Sequence, residues 1–206
     1  MKYSLDFSLL PELNSTGILT TLDADIEAMF VRIGVFPETL NRARGALMLF
    51  SKTFGAHDES WRDEAYIRAG LNEFYSIEQV LKREHKIANL PGSSLEIYNS
   101  LNPLLHLMRL MRHLDVHTES FPVIGYDTKV TVHFNDPPQE WTYRTAIIKD
   151  LSADRLRKIR DVKQKYDDAK LDRVVEWFLE KQKVFGVCEV FMKGTEAYCL
   201  QLISRY

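Results

Sequence analysis

The strongest constraint on this chain is a change of hydrophobic period between Thr20 and Ile148. Up to His117 apolar residues recur at helical spacing: Ile26, Met29, Phe30 and Ile33, then Leu40, Ala43, Leu47, Phe50 and Phe54. A long third run contains Trp61, Ala65, Ile67, Leu71, Phe74, Ile77 and Leu81, and a fourth Leu95, Tyr98, Leu101, Leu105 and Met108. From Val123 the pattern alternates instead, through Lys129-Val-Thr-Val-His-Phe and back along Trp141-Thr-Tyr-Arg-Thr-Ala-Ile-Ile, with the turn-forming Asn135-Asp-Pro-Pro between. Side chains line one face every 3.6 residues in a helix and every second residue in a strand, so these segments cannot exchange roles. The expected fold is mainly α, of the α+β kind: a helical bundle with an inserted β-hairpin and C-terminal helices.

Capping signals set the boundaries. Thr20 with Asp23, Ser60 with Asp63, and Ser93 with Glu96 have the three-residue spacing of a capping box, predicting three long helices over 21–117. Residues 1–20, interrupted by Pro11 and Gly17, read as an extended arm. Ser152 is expected to cap a helix carrying Leu156, Ile159, Val162 and Tyr166. Helix resumes at Leu171 and again between Phe185 and Leu202, with Gly186 and Gly194 as weak points. The mixed-sign run Asp154–Lys170 reads as a solvated helix face. The whole chain, 1–206, is expected to form one domain, with a helical core at 20–120, a hairpin at 121–150 and C-terminal helices at 151–206.

Composition narrows the function classes. The 206 residues are 45% hydrophobic, enough for a core without covalent staples. Lys plus Arg, 27, nearly balance Asp plus Glu, 29, for a net charge of −2, so no global field draws the chain to nucleic acid. Any such site must be local. The first residues lack the apolar stretch of a signal peptide and no 18-residue apolar run occurs, which predicts a cytoplasmic protein with no membrane contact. Cys188 and Cys199, on one helix about 16 Å apart along its axis, are expected to be reduced and buried.

Leu104–His117, LLHLMRLMRHLDVH, departs from this pattern by placing two arginines and three of the six histidines in an otherwise apolar helix. Titratable groups beside an apolar face are desolvated at a cost, so they are commonly paired or functional. At about 100° per residue, His106, His113 and His117 share one face with Arg109 beside them. Arg112 follows Leu101, Leu105 and Met108 and lies about 140° from His117 around a straight helix. For the two to act on one phosphate, side-chain reach, unwinding near Thr118 or a second subunit must close that gap. The aromatic set Trp61, Phe74, Tyr75, Trp141, Trp177 and Phe178 is spaced like core or interface. His57 and His85 fall near helix ends, where the C-terminal dipole favours them, and no role is assigned to His133 or Asp115.

Arg112-His-Leu-Asp-Val-His117 resembles the R-x(4–6)-H motif of the HEPN family, helical nucleotide-binding domains that include metal-independent ribonucleases. The resemblance covers roughly 20–120. It implies a homodimer that cleaves or binds RNA or a nucleotide, with Arg112 stabilising the phosphate and His117 as acid or base. His113, Arg109 and His106 would contact substrate. The residue after the arginine, often Asn in ribonuclease members, is His113 here. No cofactor is implied. The alternative is a non-catalytic helical dimerisation or interaction module using the same face with a protein partner, since the family also contains inactive members. A third reading has His113 and His117, at i and i+4, chelate a metal ion, with Glu73, Glu78 or Glu84 completing the set if they leave their solvated faces.

Overall fold

The computed structural model describes residues 2–13, 26–29, 36–55, 58–91, 95–117, 121–132, 137 and 139–206, the side chains of 115–117, 130–132 and 139 excepted. The expected start at Thr20, His57, Ser93, His133 and the turn residues Asn135 and Asp136 lie outside the described residues. The architecture is mainly helical with one two-stranded antiparallel hairpin. In order come α1 (Pro37–Ser51), α2 (Ser60–Ile87), α3 (Pro103–His117), β1 (Val123–Val132), β2 (Gln139–Ile148), α4 (Ala153–Arg157), α5 (Val162–Lys165) and α6 (Asp168–Arg205).

The third helix begins later than its capping box predicts. A 3₁₀ turn occupies Ile97–Asn99, and α3 starts only at Pro103. Proline disfavours helical backbone in the residue before it and suits the first helical position, so the helix cannot run through Asn102. The cap is polar and local: Asn102 Oδ1 accepts from the Leu104 amide at 2.9 Å, and Ser100 Oγ from the Asn102 amide at 3.0 Å. Ser152 caps α4 as expected, its hydroxyl accepting from the Arg155 amide.

Helix α1 is capped from a distance. Phe36 holds its N-cap position with no side-chain bond, and Pro37 follows. The orphan amides of a helix start need acceptors, and Glu84 of α2 supplies them: its carboxylate accepts from the Glu38 amide at 2.9 Å and the Thr39 amide at 3.0 Å. Glu84 is therefore buried, not on a solvated face.

The C-terminal segments form one long helix bent at Gly186, where φ is 81° and ψ 158°. Backbone of that kind is essentially restricted to glycine, and a Cβ there would lie 1.9 Å from Thr145 Oγ1. The hairpin docks on the bend and satisfies groups near it. Thr128 Oγ1 donates to the Lys183 carbonyl at 2.9 Å, and Tyr143 Oη to the Val184 carbonyl at 2.9 Å. Gln182 continues the sheet edge, accepting from the Ile148 amide and donating to its carbonyl, both at 2.8 Å. Cys188 and Cys199 are free thiols buried in α6, and burial pushes each up to about 12.

One hydrophobic core joins α1, α2, α3, α6 and the inner hairpin residues. Of the aromatic set, Phe74 and Phe178 are in it, whereas Trp61 and Trp141 are more than half exposed, at 62% and 58%. Helix α3 is apolar on nearly every side: Leu104, Leu105, Leu107, Met108, Leu110, Met111 and Leu114 are all buried. A helix of that kind sits inside the fold, so its charged groups must find partners within the protein. No described helix is long and apolar enough to cross a membrane.

Candidate functional site

The sequence-predicted cluster on α3 divides into sealed and open parts. His106 is sealed. Its Nε2 lies 2.8 Å from the Ser100 carbonyl and its Nδ1 2.9 Å from Tyr166 Oη. A carbonyl can only accept, so Nε2 carries the proton and Nδ1 accepts from the Tyr166 hydroxyl. Burial, opposed by the Ser100 bond and reinforced by the Arg109 charge, holds the imidazole down to about 4. It is neutral at pH 7, with both nitrogens used and Tyr3, Tyr98 and Tyr166 around its ring. The structure thus removes it from the exposed basic face that helical spacing predicts.

Arg109 is nearly sealed as well. Its guanidinium donates to Glu78 Oε2 at 2.5 Å, and their side chains are only 15% and 0% exposed. Glu78 also accepts from the Ile97 amide at 2.9 Å and pairs with Lys82 at 3.2 Å. The carboxylate sits on the buried side of α2, contrary to the solvated placement expected for it, and fastens α2 to the segment before α3. The Arg109 guanidinium lies 3.6 Å from the centre of Tyr98 and 5.2 Å from that of Tyr75. Arg112 continues the series, 4.4 Å from the Tyr75 centre with Nε donating to Asn72 Oδ1 at 3.2 Å. Tyr3 extends it at the other end, stacked on Tyr98 at 4.8 Å. Tyr3, Tyr98, Arg109, Tyr75 and Arg112 thus form a continuous ladder of rings and guanidinium groups, a geometry that favours both stacking and cation–π attraction. Arg112 remains half-buried. His117 ends α3, and its side chain lies outside the described residues.

His113 is the open member. It is exposed and lines a cavity of about 240 Å³ with Tyr3, Tyr98, Arg160, Lys165 and Tyr166. Three tyrosines thus share the lining with three basic residues, His113, Arg160 and Lys165, and with one carboxylate, Asp161. Arg160 is 93% exposed at its side chain and meets Asp161 only at 3.9 Å. Asp161 adopts left-handed backbone, φ 68°, and its carbonyl accepts from the Gln164 and Lys165 amides, which turns the chain so that 159–162 and 165 face the cavity. A more open cleft of about 450 Å³ lies between Phe7–Leu13 and Arg173, Trp177 and Lys181 on α6.

Periodicity missed Tyr3, Tyr98, Arg160, Lys165 and Tyr166 as partners of α3. Lys165 belongs to the mixed-sign run that reads as a solvated face, Tyr166 to the apolar stripe of the helix after Ser152, and Tyr3 to the arm. The usable signal is chemical: a helix buried on nearly every side cannot leave its arginines and histidines unanswered. Among the described residues no three His, Cys, Asp or Glu side chains converge as a metal site requires.

Comparisons with protein-family models, with curated proteins and with solved structures returned no match. The HEPN resemblance therefore rests on the α3 residues themselves.

Proposed function

We propose that this protein binds a nucleotide, or the nucleotide end of an RNA, in the cavity beside His113, and that binding rather than cleavage is its activity at this site. One observation carries the reading: a single cavity lined by Tyr3, Tyr98 and Tyr166 together with His113, Arg160 and Lys165, three basic residues against the one carboxylate of Asp161. Tyr98 is already sandwiched between Tyr3 and Arg109, so a base would stack on Tyr3 or Tyr166, with the basic side chains of the lining taking its phosphate. The volume of about 240 Å³ lies just below the ~300–1,000 Å³ of drug-sized sites, which suits one base with its phosphate reaching the rim. Arg109 contributes little free charge to a ligand because Glu78 already neutralises it.

Calorimetry with 5′-AMP, adenosine and inorganic phosphate tests this. The nucleotide is expected to bind more tightly than either half, and His113→Ala and Lys165→Ala each to weaken it about tenfold, the equivalent of about 1.4 kcal/mol. Equal binding by wild type and both variants, or none at millimolar concentration, would overturn the reading. The same samples incubated with mixed RNA in EDTA test catalysis. Cleavage lost in both Arg112→Ala and His117→Ala would replace binding with the ribonuclease reading. Sedimentation alongside reports whether binding needs the homodimer that the resemblance implies.

A further inference from the structure

Residues 2–13 run across the opening of α3 and along the start of α6, held at only a few points. The Tyr3 amide donates to the Lys165 carbonyl at 2.7 Å, and the Asp6 amide to the Leu101 carbonyl at 2.8 Å. Side chains add further ties: Lys170 Nζ to the Leu5 carbonyl at 3.3 Å, Asn102 Nδ2 to the Leu9 carbonyl at 2.7 Å, the Lys2–Asp167 pair at 3.9 Å and Arg173 over the Phe7 ring at 4.1 Å. Leu5 and Leu13 are its buried apolar anchors, and Tyr3, Phe7 and Leu10 pack partly buried against the core. A segment whose backbone is tied to the rest of the fold so sparsely, whatever its side chains bury, opens at lower free energy than the hydrogen-bonded helices beneath it.

What this strap covers is specific. The Tyr3 ring stacks on Tyr98 at 4.8 Å, meets Tyr166 edge-on at 5.1 Å and lies 5.4 Å from His106. It is both a wall of the His113 cavity and a cover over the buried imidazole. The groups facing His106 are Tyr3 from the strap, Tyr98 from the segment before α3, Tyr166 from the turn after α5, and Arg109 from α3 itself. Only Tyr3 comes from an element that can leave without unfolding a helix.

We propose that residues 2–6 are a lid over the His113 cavity: its lifting removes Tyr3, enlarges the cavity inward and brings His106 and the Tyr166 hydroxyl to solvent as additional ligand contacts. The protein then has two states of one site, a closed one with tyrosine walls and an open one with two histidines. The proposal rests on the nucleotide-site reading for its ligand, but the movement of the lid is measured without any ligand.

Two measurements test it. In wild-type protein, amide hydrogen exchange of Tyr3 and Asp6 is expected to be at least a hundredfold faster than that of the α3 core amides Leu107 and Leu110, relative to their unprotected rates. Exchange of all four at one common protection would overturn the lid. Acylation of His106 by diethylpyrocarbonate, followed by peptide mapping, reads its exposure. It is expected to be slow in wild type and in Tyr3→Phe and at least tenfold faster in Tyr3→Ala, with circular dichroism and the exchange of Leu107 unchanged. Equal rates in wild type and a folded Tyr3→Ala would contradict the proposal; if that variant does not fold, the wild-type exchange measurement decides. Failure of 5′-AMP to bind any form overturns the nucleotide reading and leaves the lid standing on its own two readouts.

Discussion

Arg109 and His113 are four residues apart on the same helix, yet one closes the α2–α3 contact and the other opens onto a cavity. Arg109 meets a carboxylate with no exposure at all, in a sandwich of tyrosines. His113 stands on the rim with Lys165 and Arg160. The difference comes from what packs on α3 at each height: α2 and the 97–99 turn cover the first, and the short segment around α5 stops beside the second. A basic face on a helix is therefore no single surface. Its charges are divided by the elements that cover it, and each part answers to a different physical demand.

The largest test of that division is to break the sealed half. Arg109→Ala leaves the Glu78 carboxylate buried with Lys82 as its remaining charged partner, and losing one member of a buried pair costs about 3–5 kcal/mol. Urea unfolding should show this loss, and Glu78→Leu with Arg109→Met should recover only part of it, since the apolar pair needs no desolvation but leaves the buried Ile97 amide without its acceptor. A loss below about 1 kcal/mol, the usual worth of an exposed pair, would mean that the site is open to water.

The next effect is pH-dependent. Unfolded, His106 takes a proton below its ordinary 6.5; folded, it does so only near 4. Between these values the unfolded chain holds more protons, so stability is lost as pH falls through that window, by about 3 kcal/mol. Glu189 works in the opposite sense: burial, opposed by Lys193 and reinforced by Glu196, raises it from 4.5 to about 7. The folded chain holds the extra proton there, and stability is lost as pH rises through 4.5 to 7. The two slopes mask each other in wild type. Unfolding of Glu189→Gln with and without His106→Gln, at pH 7.5 and 4.5, should isolate the histidine contribution; an unchanged pH dependence would refute it.

Arg112 lies between the two regimes, half-buried on Tyr75 and Asn72. Arg112→Ala is expected to cost about 1–2 kcal/mol, a hydrogen bond plus a cation–π contact. Smallest is the open rim: Lys165→Ala should change stability by no more than about 0.5 kcal/mol while weakening nucleotide binding. A destabilisation as large as that of Arg109→Ala would make the rim structural too and erase the contrast.

The fold was largely legible because the change of period from Met108 to Val123 is a property of the local chain. Pro103 was equally visible, and its restriction on Asn102 explains why the Ser93 capping box does not set the start of α3. Gly186 and Gly194 look alike in sequence, but only Gly186 bends the helix, because the hairpin groups Thr128 and Tyr143 compensate the break. Gly194 instead lets α6 approach Met108 and Leu104. The site was legible only in part. Helical spacing relates Arg109 to His113, but says nothing of Glu78, Tyr98, Tyr3 and Tyr166, which arrive from four other segments. Hence the wheel groups His106 with the exposed residues, although Ser100 and Tyr166 hold it inside.

The most direct measurement is an NMR titration of the histidine rings in wild type and His106→Gln. The division of α3 predicts that one imidazole stays neutral, with its proton on Nε2, down to about pH 4, and that its resonances are absent in the variant. Titration of His106 near its ordinary value of 6.5 would place it in water and contradict the account.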